Sequence, residues 1–305
     1  MNNDVSMNTF SINFSKLQDI KQNLIKISLT QNLRRAIDLY WQTKDIAIDP
    51  ELIHALLDRK ILSLFARSSK IVYRCTIAFA LAKYVDLSPI IVAKELIDLL
   101  ASIAFKQSEA SLEFRVVVTA GQIDFYCEDL TLACWLNSEI AKANNCQLST
   151  IDASLTKVDL MPNYFSIQYA HARCCSWLAL GEREKLIRLK KRPFLTSTWQ
   201  IVQPESLSWF DTTGNFYLTH PTEYRLLFQV LKTVEELTNK NNLLKIAFDL
   251  SEAMLAFEAR CQTFGAVKRK HPQQAIARLG LLALVQYFLQ KLLQTELRVV
   301  ALREL

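Results

Sequence analysis

Apolar residues along 17–41 recur at steps of three and four, through Leu24, Ile27, Leu29, Leu33, Ile37 and Tyr40. That period gathers them on one face and predicts an amphipathic helix. After Asp49-Pro50 a shorter helix through Leu52, Leu56 and Leu57 is expected, with proline in its first turn. Positions 76–84 are apolar and alanine-rich, and Leu87-Ser88-Pro89 closes that segment and opens another helix to about residue 103, Ser88 as its N-cap. The pattern then changes. Glu113-Phe114-Arg115-Val116-Val117-Val118 is β-branched and short enough for a strand, Thr119-Ala120-Gly121 reads as a turn, and Gln122-Ile123-Asp124-Phe125-Tyr126 alternates as a second strand. Asp129 caps a helix through Leu132, Trp135 and Leu136, and 141–163 has the Asn/Ser/Thr composition of a linker.

Beyond the linker the helical period dominates, with helices predicted at 165–180, 222–239, 242–264 and 274–297. Between the first two lies 181–221, too long for an ordinary helix connection. It opens on the basic run Arg183, Lys185, Arg188, Lys190, Lys191 and Arg192, and its Trp199, Trp209, Phe210, Phe216 and Tyr217 imply that part of it packs.

Composition narrows the function classes. Only 5 of 305 residues are glycine, far below the usual share of about 7%, and they are scattered. No G-x-G-x-x-G and no Walker-type loop can be written, so a phosphate-cradling nucleotide enzyme of the usual kinds is disfavoured. The length allows two domains. The basic excess is confined to the second half: 161–305 carries 19 Lys/Arg against 12 Asp/Glu, whereas 1–160 carries 17 against 18. Such a surplus fits either a polyanion partner or a solvated basic surface.

Seven cysteines without a C-x-x-C, and a polar start lacking an apolar leader core, point to reduced thiols in the cytoplasm. The four histidines have no metal-ligand spacing, and no metal or other cofactor is expected. Apolar runs such as 276–293 are interrupted by Arg278, Gln286, Gln290 and Lys291, so no membrane span is expected.

Gln168-Tyr169-Ala170-His171-Ala172-Arg173 resembles the opening helix of the DALR anticodon-binding domain of arginyl-tRNA synthetases. Three further segments follow in that family's order: His220-Pro221-Thr222-Glu223, the Phe257 to Cys261 region, and Ala277-Arg278-Leu279. Together they cover roughly 165–305. The first half is similar to the family's amino-terminal additional domain over roughly 17–139. The match runs through Tyr73-Arg74-Cys75-Thr76-Ile77-Ala78-Phe79-Ala80-Leu81-Ala82-Lys83, Ser88-Pro89-Ile90-Ile91-Val92-Ala93-Lys94-Glu95-Leu96, and Gly121-Gln122-Ile123-Asp124-Phe125-Tyr126.

The resemblance implies a mainly α protein. A flexible tail, 1–16, precedes a small α+β amino-terminal domain at 17–140; a linker at 141–164 stands where the family carries its catalytic domain. An all-α DALR-like helical bundle at 165–305 then carries an insertion at 181–221. Neither ATP-binding signature of the catalytic domain occurs in the chain. The expectation is a paralogue that binds tRNA, an arginine tRNA or another structured RNA, without ligase activity. The alternative is a scaffold or regulator that meets a protein partner through the amino-terminal domain or the insertion.

Tyr169 and Arg173 are four apart and share a helix face. An aromatic ring offers a stacking platform for an unpaired base, and the guanidinium can add a phosphate contact or a second planar surface; in the family these two positions meet the anticodon loop. The bland alternative is a packed tyrosine and a surface ion pair. His171 points elsewhere and reads as structural. Arg260, Lys268, Arg269 and Arg278 complete the expected RNA-contact set, Arg278 alternatively holding the bundle together. Leu305 ends the chain where the family places a terminal methionine near the anticodon. In the amino-terminal half the family's exposed strand aromatic and asparagine are Gln122 and Asp124 here. That exchange predicts a lost stacking surface and a charge that repels phosphate.

Overall fold

In the computed structural model, which describes residues 24–44, 62–67, 70–105, 113–145, 164–190, 199–239 and 242–305, two β-hairpins join into a four-stranded sheet in the first half of the chain. Its strands are β1 (Leu62–Arg67), β2 (Lys70–Cys75), β3 (Phe114–Thr119) and β4 (Gln122–Cys127), in the spatial order β1-β2-β4-β3. All neighbours are antiparallel. Ile71, Tyr73, Cys75, Ile123, Phe125 and Cys127 line the buried face. The β3–β4 hairpin matches its sequence reading, with Ala120 (φ 51°) and Gly121 (φ 90°) forming the turn. A side chain on Gly121 would come within 2.5 Å of the Pro89 Cβ, so close approach as well as positive φ demands glycine there.

The β1–β2 pair was not legible in the periodicity. Val72 is buried as well as its neighbours Ile71 and Tyr73, which erases the alternation in β2. Helices α1 (Leu24–Lys44), α2 (Ile77–Val85) and α3 (Pro89–Phe105) complete this part, α3 packing on α1, on α2 and on strands β3 and β4. Helix α4 (Asp129–Asn145) runs on through 141–145, where the linker was expected to begin. The rest of that linker, the tail and the helix through Leu52, Leu56 and Leu57 lie outside the described residues.

The chain divides into two compact units, Met1–Trp135 and Leu136–Leu305. The second is built from α5 (Phe165–Arg183), α6 (Pro221–Asn239), α7 (Leu243–Arg260), the short α8 (Ala266–Lys270) and α9 (Pro272–Lys291), which ends in a π-helical turn, Leu292–Glu296. It is not purely helical, contrary to the all-α expectation. Arg188–Leu189 (β5) and Ile201–Gln203 (β6) pair antiparallel inside the segment 181–221.

Helix α9 is buried on nearly every side and forms the axis of the unit, packed against α5, α6 and α7. By length and composition its 25-residue stretch, Pro272–Glu296, is sufficient to cross a membrane, contrary to the reading of its interruptions, yet 83% of the relevant window is buried inside the unit. Here the apolar surface serves a protein core. The segment 181–221 supplies part of the cover. Leu207, Trp209, Phe216 and Leu218 are buried, and a Cβ on Gly280 would meet the Leu207 side chain at 2.3 Å. The packing foreseen from the aromatic residues of this segment is therefore present, and Gly280 makes room for it.

Candidate functional site

On α5 the residues Phe165, Tyr169, Arg173 and Trp177 follow at four-residue steps and form one ladder. Its first two rings stack face to face, 6.0 Å between centroids and 13° between planes. Both are open to solvent, Phe165 at 53% and Tyr169 at 37% of full exposure. The next two rungs are tied to α7. Arg173 Nε donates to Glu258 Oε1 at 2.8 Å, a second guanidinium nitrogen donates to the same oxygen, and Trp177 Nε1 joins them at 2.9 Å. That bond from Glu258 is the main cause holding the Arg173 pKa above its usual value. Arg173 is thus an ion-paired, partly exposed residue at the edge of the stack.

The other sequence-predicted residues separate by burial. Arg260, at the end of α7, and Arg269, in α8, are exposed, whereas Lys268 is half-buried and bonded to Glu184. Arg278 is the clearest correction. It is buried, its Nε donating to Glu223 Oε1 at 2.6 Å and its NH1 to the Gln262 carbonyl, which is the arrangement of its alternative, bundle-holding reading. Glu223 in turn closes the entry to α6, its Oε2 accepting from the His220 N–H at 2.7 Å, while Thr222 Oγ1 meets Cys261 Sγ at 3.0 Å. Three of the four segments that carry the family resemblance in this half therefore meet in one buried polar knot.

The remaining segment works from its inner face. Gln168 Nε2 donates to the Val300 carbonyl at 3.1 Å, and His171 Nδ1 lies 2.7 Å from the Leu302 carbonyl. These two bonds lay the last residues of the chain along the first turns of α5. Leu305, three residues past Leu302, is exposed at 54%; that length of chain reaches at most about 11 Å. The order of the two bonds, Val300 at Gln168 and Leu302 at His171, runs the tail along α5 in the direction away from Phe165.

His171 is buried, as its structural reading required, and belongs to a chain of polar groups in an otherwise apolar core. With Nδ1 donating to Leu302, Nε2 accepts from Gln286 Nε2 at 2.9 Å; Gln286 also donates to Gln290, and Gln290 to Gln294. The backbone N–H of Trp199 donates to Gln286 Oε1 at 3.2 Å. Gln286 spends one amide N–H on His171 and the other on Gln290, so a proton added at Nε2 would face an N–H.

Burial, opposed by the bond to Leu302, lowers the His171 pKa to about 4. A histidine whose folded pKa lies below its unfolded value of 6.5 is neutral in both states at higher pH. As pH falls from about 6.5 to about 4 the unfolded chain takes up the proton first, and stability is lost. The loss reaches roughly 3 kcal/mol at 1.36 kcal/mol per pH unit. Urea unfolding at neutral and mildly acid pH should therefore show a larger loss in the wild type than in His171→Asn, which keeps a donor for the Leu302 carbonyl; equal losses would refute the assignment.

In the first unit the expected phosphate-repelling charge does not stand alone. Asp124 is buried and bonded twice to Arg74, at 2.8 and 2.9 Å, and that guanidinium also lies 5.0 Å from the exposed Phe65 ring. On the adjacent strand Arg115 sits 4.3 Å from the Tyr126 ring. The pairing of Arg74 with Asp124 follows from the β2–β4 register, which puts the two residues directly opposite. Sequence reasoning missed this pair, and it missed Phe165 although its four-residue spacing from Tyr169 was visible. Compared with known protein families, curated proteins and solved structures, the chain finds no match.

Proposed function

We propose that this chain is a non-catalytic RNA-binding protein that holds a structured RNA, tRNA first among them, at the amino-terminal half of α5. The observation that carries this reading is the exposed Phe165–Tyr169 stack, 6.0 Å between rings, on the unit that holds the whole basic surplus. Solvent-facing aromatic rings cost hydrophobic burial and offer a platform for unpaired bases. Arg260 and Arg269 add exposed positive charge. The sequence resemblance to arginyl-tRNA synthetases favours tRNA as the partner, and the lack of their ATP-binding signatures in this sequence favours a role in binding over one in catalysis. Function would then rest on occupancy: shielding, delivering or competing for the RNA.

Binding to an arginine tRNA should weaken linearly in log–log terms as salt rises, because phosphate contacts release counterions. Nucleic acid should also copurify with the chain and disappear on nuclease treatment. Salt-insensitive or undetectable binding would end this reading. The scaffold alternative draws on a different observation, six exposed large apolar residues among the described residues of the first unit: Phe65, Phe79, Tyr84, Ile90, Ile91 and Leu130. It predicts capture of a protein partner that is lost when these residues are made polar.

A further inference from the structure

We propose that the β5–β6 hairpin and the start of α9 form a second RNA-contact surface, a cationic groove that takes the phosphate backbone of the RNA whose bases stack on α5. This rests on the RNA-binding reading above. A cavity of about 430 Å³ opens between the end of α5, the hairpin and the first turns of α9, with Lys185, Arg188, Gln203 and Gln273 among its lining residues. A second cavity of about 370 Å³ shares Gln273 with it and contributes Lys270 and His271, together with Asp211.

The charge of this surface is positive on balance, four cations against Glu182 and Asp211. Lys185, Arg188, Arg269 and Lys270 are exposed and make no ion pair among the described residues. Two acids line the cavities with them: Glu182 Oε1 accepts from the Leu189 N–H at 2.9 Å, and Asp211 Oδ1 accepts from the Thr213 and Asn215 N–H groups of its own turn, while Glu184 close by is bonded to Lys268. Amide side chains at Gln203 and Gln273 can donate to phosphate oxygens between the cations.

Geometry links this groove to the aromatic stack. Lys185 lies sixteen residues after Tyr169, at and just past the end of α5, which at 1.5 Å per residue is roughly 24 Å. At about 3.4 Å per phosphate along one strand, that span corresponds to some seven nucleotides, within the reach of one stem and its loop. Bases splayed on Phe165 and Tyr169 and a backbone tracking toward Lys185 and Arg188 are compatible in a single RNA.

The test uses the full chain and a fluorescent RNA stem-loop, with binding followed by anisotropy over a series of sodium chloride concentrations. Lys185→Gln and Arg188→Gln are each expected to make the slope of log affinity against log salt shallower by roughly 1, and the double variant by roughly 2. Each should weaken binding about eightfold at ~0.1 M salt. Arg188→Lys should keep the wild-type slope. Slopes equal to the wild type in the double variant would overturn the groove while leaving base stacking on α5 intact. Loss of affinity in the Phe165→Ala/Tyr169→Ala variant with an unchanged slope would confirm that the two surfaces act separately. A wild-type chain that does not bind the RNA overturns both readings.

Discussion

Replacing Arg278 by methionine is expected to destabilise the carboxyl unit by about 3–5 kcal/mol, the usual consequence of removing one partner from a buried ion pair. Glu223 is fully buried, and both its oxygens are in use, one by Arg278 and the other by the His220 N–H. Without the guanidinium the carboxylate keeps its charge in a medium that cannot solvate it, and the Gln262 carbonyl loses its donor as well. For a unit of this size the melting temperature should fall by roughly 10 °C. Pairing the change with Glu223→Gln should recover part of the loss, because the uncompensated charge is then gone. RNA affinity measured well below the melting transition should not change. Full stability with lost affinity would return Arg278 to the contact surface.

The second large effect concerns the exposed stack. Phe165→Ala together with Tyr169→Ala should reduce RNA affinity by roughly 10- to 100-fold, since stacking of a base on an aromatic side chain contributes about 1–3 kcal/mol. Both rings are substantially exposed and stack on each other, so unfolding free energy should move by only about 0.5 kcal/mol. That separation of affinity from stability is the diagnostic result. Arg173→Ala is a poorer probe, because it also strands Glu258, which Trp177 and Arg173 share. Affinity unchanged in the double aromatic variant would remove α5 from the interface.

The helices of the second half were legible because their determinants are local. The predicted 165–180, 222–239, 242–264 and 274–297 fall on α5, α6, α7 and α9 with its π-helical turn, with small differences at the ends. The β3–β4 hairpin was equally legible, its turn marked by Gly121. Strands β1 and β2 were not, since burial on both faces at Val72 removes the alternation that a one-sided sheet would print. The same limit applied to α9, where the pattern of polar interruptions suggested a weaker apolar stretch than the helix presents.

Of the candidate site, the sequence alone determined which helix would carry it, that Tyr169 and Arg173 share a face, and that the positive charge belongs to the second half. Tertiary structure decided which charges are available. Arg173, Arg260 and Arg278 look alike in the sequence, yet one is tied to Glu258, one is exposed, and one is buried against a glutamate 55 positions away. The carboxyl end was likewise placed by partners 131 and 132 residues distant, His171 and Gln168. Periodicity and capping are properties of a few neighbouring residues and can be read along the chain. The partner of a buried charge is set by which surfaces the packed helices bring together, and burial decides whether that charge meets solvent, a ligand or another side chain.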